Sequence, residues 1–326
     1  MEMQRKFSNW MEISSVSKLE LLENLPKSLY VWKEKVWSNT LISLPDELCK
    51  QLERIVQQYL SVMWLDETLY PARVDLGISW SWQLIIYEIT TWFVDQVGSL
   101  LALQEMIWED TLAEIIQNTP FDASFLSSQA YKPEYELMRQ YFSQYWNPLK
   151  DSTSGEKVFL YGYPTEEMRG KNNLYPSWKW LDAEQKDVQV RILEIISRGT
   201  DFIVPRFFDN NTTWYQDLPE ERCTKMIFKQ STPKLKWDQK SILFWKGKLA
   251  RERYKSWEMM AQEYIPPFRD AKGRRFEIKA LFMPNPTGTK LLGLYNLTDE
   301  ERSTDNFGST KIPNDGYPQW PVIITK

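Results

Sequence analysis

Residues 79–98, with the sequence SWSWQLIIYEITTWFVDQVG, constrain the fold more than any other stretch of the chain. Tryptophan and aliphatic residues dominate this stretch, yet Glu88 and Asp95 lie within it, seven residues apart. A 3.6-residue apolar period predicts a helix over residues 79–97. A helix that is apolar on nearly every side is typically buried. A buried carboxylate must be paired, hydrogen-bonded, protonated or bound to a cation.

Two interpretations of this pair of carboxylates stay open. On a helix, Glu88 and Asp95 share one side with Thr91, and the commoner arrangement of this kind is a solvated stripe opposite the apolar face. Tyr87 and Trp92 lie beside them, however, and large aromatic side chains are not typical of a solvent-facing stripe. The alternative is therefore a carboxylate pair that faces a pocket or a cation.

The absence of histidine narrows the chemistry that this chain can perform. Among its 326 residues there is no histidine and there are two cysteines. Ser-His-Asp and Cys-His mechanisms are therefore excluded, and so are the usual zinc sites, which need histidine or four thiolates. Carboxylate–Mg²⁺ chemistry, carboxylate acid/base pairs, lysine or tyrosine chemistry, and a protein without catalysis all remain.

Helical periods predominate elsewhere, so we predict a mainly α fold with a minor β-hairpin near the C-terminus. The predicted helices span residues 43–65, 79–97, 100–117, 133–146, 182–197, 219–229 and 241–264. The predicted hairpin joins residues 276–283 to residues 290–295 across a turn that contains two prolines and a glycine. A short strand over Val158–Tyr161 and an extended segment around Pro205 complete the expected elements.

Composition divides the chain into three regions, which either are separate or together form a single domain. Residues 1–146 are an acidic, aromatic-rich helical region, residues 147–180 an irregular loop region, and residues 181–326 a basic helical region that ends in the hairpin and an extended tail. Residues 1–120 contain nine Lys and Arg against seventeen Asp and Glu, whereas residues 222–279 contain sixteen against six. The front of the chain is therefore acidic and the back is basic.

The sequence also predicts where the protein resides. Residues 1–18 lack the basic start, apolar core and small-residue cleavage site of a signal peptide. The most apolar window, residues 84–103, contains two carboxylates and a glutamine, which a lipid-facing helix does not readily accept. We therefore expect no membrane span and a soluble, cytoplasmic protein whose cysteines are reduced and structural.

Aromatic residues are interleaved with the positive charges of residues 222–279. Lysine and arginine neutralise phosphates, and aromatic rings stack on bases. This segment, which includes Lys246, therefore predicts one of three roles: binding of a phosphate or diphosphate, binding of a nucleic acid, or a solvated basic face that docks on the acidic half.

Two short stretches resemble the class I terpene synthases. Tyr70-Pro-Ala followed by Trp92-Phe-Val-Asp95 is similar to the segment that leads to the first aspartate-rich motif of that family, and Arg253-Tyr254 is similar to its late Arg-Tyr pair. A match to the second metal motif of the family is not found. The resemblance implies a helical fold, Mg²⁺ on Asp95, and a substrate diphosphate at Arg253 and Tyr254. It also implies a carbocation that aromatic faces stabilise.

These observations lead to a hypothesis about function with two alternatives. We expect a Mg²⁺-dependent lyase or transferase that acts on an organic diphosphate, with an isoprenoid diphosphate as the candidate, in an aromatic-lined pocket. The candidate catalytic residues are Asp95, Glu88 and Tyr254, and the first two are also the candidate metal ligands. The candidate substrate-binding residues are Arg253, Lys246, Trp92 and Tyr87. The alternatives are a nucleic-acid-binding or viral or mobile-element accessory protein that uses residues 222–279, and a structural or interaction protein without catalysis.

Overall fold

The fold is that of a computed structural model of the 326-residue chain. The structure describes residues 13–15, 40–65, 71–91, 100, 123–127, 157–161, 174–175, 183, 185–208, 226–230, 242–244, 259–266, 268–269, 275–285, 288–299 and 319–325.

The described residues contain two helices, α1 over Asp46–Val62 and α2 over Lys186–Ile196. Helix α1 begins directly after Pro45, which has extended backbone angles, and its first turn carries two carboxylates that complement the helix dipole. One face of α1 is buried because its apolar residues recur at helical spacing. The buried residues of α1 are Leu48, Cys49, Leu52, Ile55, Val56, Tyr59 and Leu60.

Strands make up most of the remaining described structure. Fifteen strands are present: β1 Ile13–Ser15, β2 Thr40–Pro45, β3 Ala72–Ile78, β4 Leu84–Thr90, β5 Ala123–Ser127, β6 Lys157–Tyr161, β7 Leu174–Tyr175, β8 Phe202–Ile203, β9 Phe207–Phe208, β10 Met226–Gln230, β11 Ile242–Phe244, β12 Met259–Glu263, β13 Arg275–Asn285, β14 Gly288–Asp299 and β15 Gln319–Thr325.

The largest sheet has eight strands in the order β1-β2-β15-β14-β13-β3-β4-β8. Strand β13 pairs antiparallel with both β14 and β3, and β3 pairs antiparallel with β4. Two pairings are parallel, β15 with β2 and β4 with β8. The sheet therefore joins strands from the first hundred residues of the chain to strands from the last sixty.

Two smaller sheets are also described. One has four antiparallel strands in the order β11-β10-β12-β9, and the other has three parallel strands in the order β5-β6-β7.

The apolar core lies where α1 packs on the large sheet, with contacts to β14, β13, β2 and β15. Helix α2 contacts α1 and β4, and its Gln189 is fully buried. The side-chain amide of Gln189 donates to the carbonyl of Ile89 and accepts from the amide N–H of Ile89, at 2.5 and 3.1 Å. Gln189 thus hydrogen-bonds both the N–H and the C=O of Ile89 on β4. Without Gln189, these two backbone groups would be buried without partners.

The prediction of a mainly α fold is wrong. Strands make up most of the described residues, and two helices are described. The predicted helix over residues 79–97 instead contains β4, the one over residues 219–229 contains β10, and the one over residues 241–264 contains β11 and β12. Several large aliphatic residues of β4 are buried, so the strand is an apolar run without the alternation that marks a half-exposed strand.

Other elements were predicted correctly. Helices α1 and α2 fall within the predicted helices at residues 43–65 and 182–197, and Gly199, with φ of 78°, follows α2. The hairpin is confirmed as β13 and β14, and the short strand at Val158–Tyr161 is confirmed as β6. The predicted helices over residues 100–117 and 133–146 lie outside the described residues, apart from Leu100.

In the part of the chain that the structure describes, no helix combines the length and apolar character that a membrane crossing requires.

Candidate functional site

A cluster of buried charges lies on β3 and β13, two neighbouring interior strands of the large sheet. Side chains alternate between the faces of a strand, so Arg73 and Asp75 share one face of β3, while Val74 and Leu76 lie on the other. Lys279 of β13 is directly opposite Asp75, and Glu277 is two residues before it on the same face. All four charged side chains are buried, with 0 to 5% of each residue exposed. We call these four residues, Arg73, Asp75, Glu277 and Lys279, the charged cluster.

Asp75 is the centre of the charged cluster. Its carboxylate accepts two hydrogen bonds from the guanidinium of Arg73, from Nε at 2.7 Å and from Nη2 at 3.3 Å. The ammonium of Lys279 lies 2.8 Å from Asp75 Oδ2 and also donates to the carboxylate of Glu277. Lys279 therefore bridges two carboxylates, in the position that a metal cation could otherwise occupy between them.

A β-bulge brings two residues of β4 to the charged cluster. Asp75 pairs with Glu88 and Leu76 pairs with Ile86, so Tyr87 is an extra residue in β4. Bulges of this kind redirect a side chain and are frequent beside active sites. The Tyr87 ring lies over Gly77, where a Cβ atom would come within 2.6 Å of Tyr87 Cζ. Gly77 is the residue of β3 that leaves room for this ring.

Two lysines from other elements reach the same bulge. The ammonium of Lys186, at the start of α2, lies 3.3 Å from Glu88 Oε2, and Glu88 is 5% exposed. Lys229 of β10 is buried and its Nζ donates to the carbonyl oxygen of Tyr87 at 3.4 Å. Among the described residues, the cluster and its surroundings thus hold four cationic and three carboxylate side chains, and cations gathered in this way favour an anionic ligand.

The described carboxylates do not form a metal site by themselves. Among the residues that the structure describes, no group of three or more His, Cys, Asp or Glu is arranged to hold a metal ion. Asp75 and Glu277 are bridged by Lys279, and Glu88 is paired with Lys186. The described donor set therefore does not fit a Mg²⁺ ion that the protein alone would hold.

The structure places two of the residues predicted from sequence in this region. Glu88 and Tyr87 lie on β4 next to the charged cluster, and the burial of Glu88 excludes the solvated stripe as its environment. The helical spacing that related Glu88 to Asp95 does not apply, because Glu88 lies on a strand. The other predicted site residues lie outside the described residues: Asp95, Trp92, Lys246, Arg253 and Tyr254.

Sequence analysis missed the four residues of the charged cluster. Their signal is an alternation of charge within apolar strands, Arg73-Val-Asp75 in β3 and Glu277-Ile-Lys279 in β13. Charged residues two apart in an otherwise apolar strand lie on the same face. The two strands lie over 200 residues apart in the sequence, and their pairing brings the charges together. This pairing could not be deduced from either segment alone.

A groove between α1 and the tip of the β13–β14 hairpin, with a volume of about 510 Å³, lies apart from the charged cluster. Its polar groups hold the hairpin to the helix: Gln57 accepts from the hydroxyl of Thr289 at 2.6 Å, and Glu53 accepts from the amide N–H of Leu291 at 2.7 Å. We interpret this groove as a packing seam.

Cys49 is not a candidate nucleophile. Burial on α1, followed by the charges of Asp46 and Glu53, raises the pKa of its thiol to about 12. A thiol with so high a pKa is protonated at neutral pH, whereas the thiolate is the reactive form.

Comparisons with known proteins identify a fold likeness but no family. No protein-family model and no curated protein matches the chain. Among solved structures, the chain is similar to a crystal structure from Methylobacillus flagellatus KT that is provisionally assigned as a gamma-glutamylcysteine synthetase. The TM-score is 0.47 and the identity 12%, over 95% of this chain and 89% of that chain. A likeness this weak leaves the activity of the chain open.

Proposed function

We propose that the protein is an enzyme that acts on an organic diphosphate at the charged cluster of the large sheet. One observation carries the proposal: four ionisable side chains are buried together on the neighbouring strands β3 and β13, and two more, Glu88 and Lys186, form an ion pair beside them.

Stability alone does not account for such a cluster. Removing charges from water is costly, and well-packed apolar side chains can replace a buried ion network with no loss, or with a gain, of stability. The alternate residues of the same strands are apolar, namely Val74, Leu76, Ile278 and Ala280, so the sequence already supplies apolar residues in this sheet. Buried ionisable groups that converge from several elements are typical of binding and catalytic sites.

The chemistry of the side chains favours a phosphorylated substrate. The guanidinium of Arg73 and the ammonium groups of Lys279, Lys186 and Lys229 are donors suited to phosphate oxygens. In a buried site such donors stabilise the negative charge that develops when a bond to a diphosphate breaks. Glu277 and Glu88 supply carboxylates for proton transfer, which a chain without histidine needs from another residue type.

Three features of the sequence-based hypothesis belong to this proposal. They are the isoprenoid nature of the substrate, a requirement for Mg²⁺ and a cytoplasmic location. Mg²⁺ is commonly held by one or two carboxylates together with substrate phosphates. No step of the proposed chemistry is assigned to the ion, since the described carboxylates are already neutralised by lysines.

A direct test is the release of phosphate and diphosphate from a panel of organic diphosphates, including prenyl and nucleoside diphosphates, with Mg²⁺ and with EDTA. We expect turnover of at least one substrate by the wild type. Lys279→Met should lower that turnover by about a hundredfold or more, in line with the loss of one preorganised charge donor in an active site. Lys50→Met, on the exposed surface of α1, is the matched control and should leave turnover unchanged.

Binding gives a second readout if the reaction product escapes detection. Inorganic diphosphate should raise the thermal midpoint of the wild type and of Lys50→Met but not that of Lys279→Met. Neither turnover nor stabilisation with any member of the panel would refute the proposal, and so would equal effects of the two lysine substitutions.

A further inference from the structure

A second feature of the molecule is the loop that joins β3 to β4. This loop, residues 79–83, has the sequence Ser-Trp-Ser-Trp-Gln. Trp80 is 59% exposed. A ring of this size is normally largely buried, unless a binding partner covers it.

Hydrogen bonds within the loop fix its shape. The hydroxyl of Ser79 accepts from the amide N–H of Gln83 at 3.1 Å and bonds to the hydroxyl of Ser81 at 2.8 Å. The carbonyl of Ser79 accepts from the amide N–H of Trp82 at 3.0 Å. Trp82 has φ of 62°, a left-handed conformation that is rare for a bulky residue. Backbone strain of this kind persists only where the surroundings enforce it, and it is concentrated at functional sites.

The loop presents its two indoles against rings from another part of the chain. The ring centroid of Phe268 lies 4.4 Å from that of Trp82 and 5.6 Å from that of Trp80. Phe268 stacks in turn on the buried ring of Phe276, at 6.4 Å and an interplanar angle of 18°. The amide N–H of Phe268 donates to the carbonyl of Ile78 at the end of β3, which holds the two segments together. We call Trp80, Trp82 and Phe268 the aromatic platform.

The charge of the segment that contributes Phe268 and Phe276 indicates what such a platform would bind. Apart from Lys229, Glu277 and Lys279, which lie in or beside the charged cluster, residues 222–279 contain fourteen Lys and Arg against five Asp and Glu, and Arg269 directly follows Phe268. An exposed indole beside two half-buried rings, one of which belongs to a strongly basic segment of the sequence, offers the two elements that bind unpaired nucleotides, which are stacking surfaces for bases and positive charge for phosphates. A neutral sugar would need the rings but not the charge.

We propose that the aromatic platform is a binding site for an unpaired base of a single-stranded nucleic acid. The base stacks on the exposed indole of Trp80, and the basic segment attracts the phosphate backbone. The platform shares no residue with the charged cluster, so its test does not depend on the proposed diphosphate chemistry.

The test is fluorescence anisotropy with a labelled oligothymidylate at low salt, using the full chain. We expect the wild type to bind it, with affinity that falls as salt rises. Trp80→Ala should weaken binding about tenfold, the typical loss when one stacking ring is removed. The matched control is Trp64→Ala, because Trp64 is also exposed, at 85%, and also has positive φ, at 60°, but follows α1. It should bind as the wild type does.

Three further probes separate stacking from charge alone. An abasic oligomer of the same length should bind the wild type about as weakly as oligothymidylate binds Trp80→Ala, and duplex DNA should compete poorly. No binding of oligothymidylate, equal binding of the abasic oligomer, or equal affinities of Trp80→Ala and the wild type would each overturn the proposal. Anionic lipid vesicles form the last arm, and a Trp80-dependent interaction with vesicles but not with oligothymidylate would overturn it in favour of a membrane surface. Because Trp80 is largely exposed, its replacement should leave the thermal midpoint unchanged, which verifies that the variant is folded.

Discussion

At the scale of single residues, Asp75 matters most to the buried charges, because it is the only one of the four that contacts both cations of the charged cluster. Asp75→Asn leaves Arg73 and Lys279 buried with one carboxylate fewer. Loss of one partner from a buried ion pair typically costs about 3–5 kcal/mol. We expect a decrease of that order in the free energy of unfolding, measured by urea denaturation.

Two comparisons make this expectation specific. Glu47→Gln removes an ion pair with Arg54 in which both side chains are 68% exposed, and it should change stability little. Replacement of all four cluster residues by Leu or Met should cost less than Asp75→Asn alone, because no unpaired charge is then buried. If Asp75→Asn lowers the free energy of unfolding no more than Glu47→Gln does, the ion network is not buried as described.

Cys49 gives a prediction about pH. Its pKa in the folded protein, about 12, lies above the ordinary value of 9.0, so the folded state keeps a proton that the unfolded state releases. Below about pH 9 the contribution of this thiol to the free energy of unfolding is fully present. As the pH rises from 9 towards 12, that contribution falls by up to about 1.4 kcal/mol per pH unit. Urea denaturation from pH 8 to pH 11 should therefore show a shallower decline for Cys49→Ala than for the wild type. Parallel pH profiles of the wild type and Cys49→Ala would contradict the raised pKa of Cys49.

At the scale of elements, the bulge in β4 depends on the absence of a side chain at Gly77. In Gly77→Ala, the new Cβ would lie 2.5–2.6 Å from ring carbons of Tyr87, so the ring has to move. Overpacking of this kind typically costs about 1–3 kcal/mol. We expect a loss of that size in thermal or urea denaturation.

A double-mutant cycle identifies the cause of that loss. In the background Tyr87→Ala, the ring is gone and Gly77→Ala should cost much less than in the wild type. If the costs of Gly77→Ala and Tyr87→Ala are additive, the strand and not the Tyr87 ring excludes a methyl group at Gly77.

The elements also show which parts of the fold can be read from sequence. Helix α1 was predictable because Leu48, Leu52, Ile55 and Val56 recur at helical spacing after Pro45. Strand β4 was not recognised, because a short apolar run fits a buried helix and a buried strand equally well. Its β-branched residues, Ile85, Ile86, Ile89 and Thr90, were the local signal that favoured a strand.

The same reasoning explains the result for the candidate site. Glu88 was identified because a carboxylate inside an apolar run is conspicuous in any secondary structure. Its described neighbours Asp75 and Lys186 could not be identified from local sequence, since their proximity depends on strand pairing and on the packing of α2 against β4. The fold-level mistake therefore changed the partners of Glu88, and its burial favours the second of the two interpretations that the sequence left open.

At the scale of the whole molecule, the large sheet makes the two halves of the chain depend on each other. Strand β3 pairs with β13 at six registered positions, and the ion pair between Asp75 and Lys279 crosses that junction. Gln189 of α2 also supplies the hydrogen-bond partners of Ile89 on β4. If the halves separate, each exposes a sheet edge, and the charges of each lose partners.

Division of the chain between residues 180 and 181 tests this dependence. We expect neither residues 1–180 nor residues 181–326 alone to unfold cooperatively in urea, because each lacks the strand on which its central strand packs. Mixing the two fragments should restore a one-to-one complex with near-ultraviolet circular dichroism like that of the intact chain. Asp75→Asn in the first fragment should weaken the complex, whereas Glu47→Gln should not, since only Asp75 contacts the second fragment through Lys279. Cooperative unfolding of either fragment alone would show instead that the sheet joins two units that fold independently.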